Sequence, residues 1–264
     1  MSKMIFGRYL PGDSIIHRLD PRLKLVAAFY FIGIIFLCNN FLSYALMFIF
    51  VLACVALSKV KWHFFFEGLK PLLWLIIFTV GLQILFSQGQ HVYFHWGVIT
   101  ISREGIINGL FIFCRFVLII FMSTLLTLTT SPLSLADATE SLLKPSEKFH
   151  FPAHEVALML SIALRFVPTL MDEAEKIMNA QRARGVDFNS GNLLQRVKAI
   201  IPILIPLFVS SFSKAEDLAD AMEARGYHGG EGRTKYRKLS WHSTDTTAII
   251  VFVVLTIILV LVRA

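Results

Sequence analysis

The sequence predicts an all-α polytopic membrane protein with about five transmembrane helices and long amphipathic cytoplasmic helices. Three observations predict it. Apolar residues make up 56% of the 264, above the roughly 45–50% of a soluble domain, and the mean hydropathy is +0.67. The apolar excess falls in blocks close to the roughly 20 residues that cross a hydrocarbon core. Lysine and arginine gather on alternate connections between those blocks, the bias that orients membrane proteins.

The chain opens on a polar, turn-rich stretch, 1–24, marked by Pro11-Gly12-Asp13 and Asp20-Pro21. No apolar stretch followed by a small-residue cleavage site occurs in it, so it does not read as a secretory signal and the first apolar block is expected to stay as a span. The expected spans are 25–38, 41–58, 70–86, 105–128 and 244–262. Asn39-Asn40 joins the first two as a tight turn. Between the third and fourth, His91-Val92-Tyr93-Phe94 and Val98-Ile99-Thr100-Ile101 alternate well enough to predict a short surface hairpin.

The long segment 129–243 is expected to hold three helices, about 134–144, 153–184 and 193–225. The first starts at Ser131-Pro132 and stops near Pro145, and Ser134 with Asp137 loosely matches a capping box. The runs 156–171, with Arg165 and Pro168, and 199–213, with Pro202 and Pro206, are strongly apolar but short and interrupted. They read as interfacial or buried helices, kinked or broken at the prolines. Small residues such as Ser210, Ser211 and Ser213 permit close helix crossing. A competing topology puts both runs into the membrane, as a re-entrant pair or as two further spans. Three regions follow: 1–128 with four spans, 129–243 as the cytoplasmic region, and 244–264 as a final span.

Charge sets the orientation. Residues 1–24 hold Lys3, Arg8, Arg18, Arg22 and Lys24, the 59–70 connection holds Lys59, Lys61 and Lys70, and 129–243 holds 14 basic residues. The opposite side holds only Arg103 and Arg263. The N-terminus and 129–243 are therefore expected in the cytoplasm. The net charge of +7 is mostly this bias, so nucleic acid is not called for as a partner. Cys38, Cys54 and Cys114 sit in apolar blocks without CxxC or Cys/His clustering and read as small buried hydrophobes.

No cofactor or metal is expected. The chain has no P-loop, HExxH, GxSxG or zinc spacing. The glycine-rich 229–235 has the wrong spacing to cradle phosphate and reads as a link into the last span. Only Arg115 lies well inside a span, with Gln83 in another. One charge does not make a transport path, so an energy source and a solute site would have to come from other subunits.

The most informative feature is a repeat. Ala183-Arg184-Gly185 recurs 41 residues later as Ala224-Arg225-Gly226, each closing a helix-like run. Upstream, Ala174/Ala215, Glu175/Glu216 and Ala180/Ala221 also match, six of 13 positions in all. Glycine there can take the left-handed cap conformation. The Arg before it falls in the last turn, where the helix dipole favours a cation. Its planar fork suits a carboxylate and keeps its charge. A single Arg-Gly is ordinary helix capping; the second copy sets this pair apart. Arg182 adds a cation beside the first tip where the second has Glu223, so two related but unequal sockets are expected. The nearby carboxylates Asp172, Glu173, Glu175, Glu216, Asp217 and Asp220 read as solvated helix faces.

With these residues in hand, the chain resembles the transmembrane T component of energy-coupling factor transporters, ATP-driven vitamin importers of the plasma membrane. The resemblance runs through Tyr9-Leu10-Pro11-Gly12-Asp13-Ser14, His17-Arg18-Leu19-Asp20-Pro21-Arg22-Leu23-Lys24, Leu164-Arg165-Phe166-Val167-Pro168 and both triplets. It implies a non-catalytic subunit whose spans scaffold a substrate-binding S component. It implies that two ATPase subunits receive the tips Ala183, Arg184, Gly185 and Ala224, Arg225, Gly226. The Arg182/Glu223 difference favours a heterodimeric ATPase pair and a module shared by several S components. A conventional ABC permease, loosely echoed by Ala180 to Gly185 and Ile203-Leu204-Ile205-Pro206, has one such loop rather than two. A membrane enzyme would need clustered Asp, His or Glu at membrane depth. A scaffold without energy coupling would leave the Arg tips dispensable.

Overall fold

Polar caps decide where the helices start. The computed structural model describes residues 9–87, 89, 91–96, 99–145, 152–188, 192–229 and 239–263. Most of the glycine-rich 229–235, and Val98 of the predicted hairpin, lie outside them. Ser14 Oγ accepts from the N–H of His17 at 3.2 Å and opens the single-turn α1, Ile15–Arg18. Asp20 Oδ1 accepts from the N–H of Arg22 at 2.8 Å, with Pro21 at the first helical position, and α2 runs over Pro21–Ile34. That is the arrangement a helix start favours. It draws the helix four residues upstream of the predicted 25–38 span. One 3-10 turn, Ile35–Leu37, then leads to the Asn39-Asn40 turn.

The helix α3 covers Phe41–Ser58, as predicted, and closes on Lys59 in the left-handed region at φ 57°. The next helix, α4, covers Trp62–Phe86 and continues through Pro71. It begins eight residues before the predicted 70–86: Trp62, Phe64, Phe65 and Phe66 belong to the helix although His63, Glu67 and Gly68 interrupt the apolar run there. The hairpin is present: β1, Val92–Trp96, pairs antiparallel with β2, Ile99–Ser102, with a register shift between Val92 and Phe94. Ser102 Oγ accepts from the N–H of Gly105 at 3.0 Å and starts α5, Arg103–Thr129. Ser131, not Ser134, caps α6, Pro132–Leu143: its Oγ accepts from the N–H of Ser134 at 3.1 Å. Pro132 supplies the pre-set first position, so the helix starts at Ser131-Pro132 as predicted. The long helices are α7, Ala153–Ala183, and α8, Leu193–Ala224. The last is α9, Ser243–Arg263.

As the predicted 153–184 and 193–225 require, α7 runs as one helix through Pro168 and α8 as one through Pro202 and Pro206, so the prolines do not break them. A proline leaves the carbonyl four residues earlier without its donor. For Pro206 that orphan is the Pro202 carbonyl, and the Gln181 side chain of α7 donates to it at 3.5 Å.

The chain divides into two units: Met1–Ala138 with Leu239–Ala264, and Thr139–Lys238. In the first, Phe31, Ile35, Met47, Val51, Val55, Phe65, Ile76, Leu118, Leu125 and Leu259 are buried together. Large apolar side chains such as Phe29, Phe41, Trp74 and Phe78 point outward, as a lipid-facing surface requires.

A buried polar clamp ties this bundle at one end. Asp245 is wholly buried. Its Oδ1 accepts from the N–H of Asp20 at 2.8 Å and its Oδ2 from the N–H of His242 at 2.8 Å. One carboxylate thus caps the first turns of both α2 and α9, 225 residues apart in sequence. Lys24 Nζ donates to the carbonyls of His17 at 3.0 Å and Thr129 at 3.1 Å. These are last-turn carbonyls of α1 and α5, which carry no intrahelical partner.

Among the described residues six helices are long and apolar enough to cross a membrane: α3, α4, α5, α9 and the cores of α7 and α8. The α2 helix, with 14 residues, rises about 21 Å, short of the ~30 Å hydrocarbon core. The protein is an all-α polytopic membrane protein.

Candidate functional site

Both Ala-Arg-Gly triplets lie in the second unit, each at the end of its own long helix. The last helical residue of α7 is Ala183, and Arg184 is the cap at φ −82°, ψ 2°. Gly185 follows at φ 87°. Its N–H donates to the Arg182 carbonyl at 2.9 Å, and the N–H of Val186 reaches back to Gln181 at 3.1 Å. The second tip repeats this bond for bond. Gly226 sits at φ 71°. Its N–H donates to Glu223 at 2.8 Å, and the N–H of Tyr227 donates to Met222 at 3.0 Å. This pairing is the Schellman motif, which satisfies the orphan carbonyls of a helix end. The Arg thus stands one position beyond the last helical residue rather than inside the last turn. Only a residue at ease with positive φ closes the motif, and glycine alone does so without penalty.

All six residues are exposed. Neither the Arg184 nor the Arg225 side chain has a hydrogen bond or ion pair among the described residues. The tips differ beside the Arg, as predicted. Arg182 Nη1 reaches Asn179 Oδ1 at 3.5 Å and its guanidinium carbon stands 5.9 Å from the Phe188 ring centroid. Glu223, at the matching place, is exposed. Of the upstream carboxylates, Asp172, Glu175, Glu216, Asp217 and Asp220 are exposed and Glu173 is half-buried.

The two helices run antiparallel. Gln181, near the end of α7, meets Pro202, in the first third of α8. Ile162, Phe166 and Leu170 of α7 line a cavity of about 320 Å³ with Ala215, Leu218 and Met222 of α8. The tips therefore point to opposite ends of the pair. Arg184 lies beside the Gln181–Pro202 contact, whereas Arg225 stands 23 residues beyond Pro202, about 35 Å of helical rise. No single small pocket holds both.

Sequence reasoning missed three parts of this arrangement. Val186 and Tyr227 close the caps through backbone N–H groups, which leave no side-chain signature. Gln181 props α8 through an orphan carbonyl, for which the Pro202/Pro206 spacing was the only signal. The antiparallel pairing has no local trace.

A family model described as "Cobalt transport protein" (CbiQ) matches residues 12–236. The chain is 62% identical over 264 residues, the whole of both chains, to the energy-coupling factor transporter transmembrane protein EcfT of Lacticaseibacillus paracasei. It is 58% identical over 261 residues to the EcfT of Lactococcus lactis, covering 99% of this chain and 98% of that one. It is 52% identical over 264 residues to the EcfT of Bacillus subtilis, again end to end. By full-length identity and by the match that takes in both tips, the chain belongs to the CbiQ family and groups with the EcfT transmembrane proteins of energy-coupling factor transporters.

Proposed function

We propose that this chain is the energy-coupling scaffold of an ATP-driven vitamin importer. Residues 1–128 and 244–264 form the membrane scaffold on which a substrate-binding S component sits, and 129–243 form a cytoplasmic coupling region. Arg184 and Arg225 each dock in a carboxylate-bearing socket on one of two ATPase subunits, so that nucleotide-driven motion of that pair moves α7 and α8. The chain itself is non-catalytic and binds no cofactor. The observation that carries this reading is the repeated tip: the same cap, the same exposed Arg, at opposite ends of an antiparallel pair. A two-ended rod with matching ends suits a two-subunit motor, and the Arg182/Glu223 difference suits a heterodimer.

The test is charge reversal at both tips. Arg184→Glu with Arg225→Glu is expected to abolish co-purification of the ATPases and ATP-driven uptake. Each single change should weaken both, since losing one side of a desolvated charge pair costs roughly 2–5 kcal/mol. Normal uptake in the double variant would sink the proposal.

The span-length apolar cores of α7 and α8 favour a second placement, in which both cross the membrane. The antiparallel pairing separates the readings. Crossing helices would put Arg184 and Arg225 on opposite faces; coupling helices put both in the cytoplasm. Single cysteines at Ala183 or Ala224, with Cys38, Cys54 and Cys114 replaced by alanine, distinguish them by reaction with a membrane-impermeant thiol reagent. The coupling reading expects both to be protected in intact cells and labelled after permeabilisation. Labelling of one from outside would favour crossing.

A further inference from the structure

Arg115 of α5 is held in place, yet its charge goes unanswered. A guanidinium carries five N–H donors. One, on Nη2, donates to the Tyr44 hydroxyl at 3.0 Å. The Tyr44 ring is fixed in turn by stacking on Phe111, centroids 4.9 Å apart. The guanidinium carbon lies 4.8 Å from the Phe36 ring centroid. Nε is buried and without an acceptor. No carboxylate pairs with Arg115 among the described residues. The elements packed on α5 do not supply one. The α2 helix, the 3-10 turn and α3 contain no acidic residue, and Glu67 of α4 is next to Gly68, which faces Thr124, nine positions from Arg115. Glu104 of α5 stands 11 positions away, and the sole acid of α9, Asp245, is in its first turn. Donors left open at the edge of hydrocarbon are costly and call for an outside acceptor.

The place of Arg115 narrows what that acceptor is. Tyr44 is in the first turn of α3, directly after the exposed Asn39-Asn40 turn. Asn40 Nδ2 donates to the Val262 carbonyl at 3.3 Å, in the last turn of α9, beside exposed Arg263. Arg115, though 12 residues into α5, thus reaches through its side chain toward the turn where α2 ends and α3 begins, the end at which α9 also finishes with Asn39, Asn40 and Arg263 beside it. Phe36, 58% exposed, offers an apolar flank next to them.

We propose that this corner binds the phosphate of an anionic membrane phospholipid, with the Arg115 guanidinium as its main ligand and Tyr44 as the residue that aims it. Arginine matches a phosphate with two parallel N–H donors, and the acyl chains would run down the apolar wall beside Phe36.

The test uses the purified full-length chain in detergent with added phosphatidylglycerol, read by native mass spectrometry. The unmodified chain is expected to retain one phosphatidylglycerol more firmly than a neutral glycolipid of the same chain length, and inorganic phosphate should not displace it. Arg115→Gln should weaken retention roughly tenfold or more, the scale of losing a hydrogen bond to a charged group. Arg115→Lys should retain an intermediate amount. Tyr44→Phe keeps the packing and the charge but removes the aiming hydroxyl, so its partial loss of lipid keeps the test decisive should Arg115→Gln fail to fold. Equal retention by the Gln and Phe variants and the unmodified chain would overturn the proposal. So would an Arg115→Gln defect confined to assembly with a membrane partner, since that would place a protein carboxylate at the site.

Discussion

Replacing the two cap glycines by alanine should loosen both tips by a calculable amount. Gly185 and Gly226 take φ 87° and 71°. An added Cβ would meet no atom within 4 Å at either place, so the cost is backbone strain alone. A left-handed conformation costs an L-residue roughly 1–2 kcal/mol. Alanine also narrows the unfolded chain, which returns roughly 0.4–1 kcal/mol. The net loss is about 1 kcal/mol per tip, about a fivefold rise in local opening. Hydrogen exchange on the purified protein reads this at the N–H groups of Gly185 and Val186, and of Gly226 and Tyr227, which close the caps. Asparagine visits the left-handed region more readily than alanine, so Gly185→Asn and Gly226→Asn should recover most of the protection. The tips stand about 35 Å apart along α8, so the two effects should add. Alanine variants as protected as glycine, or asparagine no better than alanine, would refute the reasoning.

The buried clamp yields further predictions. Asp245→Ala removes two charge-assisted hydrogen bonds at roughly 1.5 kcal/mol each, so unfolding in detergent should show a loss of about 3 kcal/mol. Asp245→Asn should lose less, because its amide oxygen keeps one of the two N–H partners. Gln181→Leu removes the donor that answers the Pro202 carbonyl, and hydrogen exchange near Pro202 should rise while the caps at Gly185 and Gly226 stay protected.

Much of the fold could be read from residue order alone. The spans at 41–58, 105–128 and 244–262 match α3, α5 and α9 within a few residues, because apolar length dominates there. The hairpin was legible from alternation. Helix starts were less so. At α2, Asp20-Pro21 begins the helix before the apolar run does, and at α4 His63, Glu67 and Lys70 interrupt the run and hid its first turns, whereas Ser131-Pro132 announced the start of α6. The continuity of 153–184 through Pro168 and of 193–225 through Pro202 and Pro206 was legible; what the sequence did not show is the Gln181 contact that answers the Pro202 carbonyl. At the tips the glycines announced their own conformation, since few residues tolerate positive φ. What joined distant parts left no local trace: Asp245 reaching Asp20, Lys24 reaching Thr129, and Arg115 reaching Tyr44 all depend on packing. Of these residues only Arg115 drew notice from its place in a span.

The most direct test of the coupling account is cross-linking from the tips. A photoreactive residue at Ala183 or at Ala224, in the complex purified from its native membrane, should form an adduct with a nucleotide-binding subunit at each position. The account predicts that the two positions capture two different ATPase chains. Adducts at neither position, or capture of lipid or of the S component at both, would contradict it.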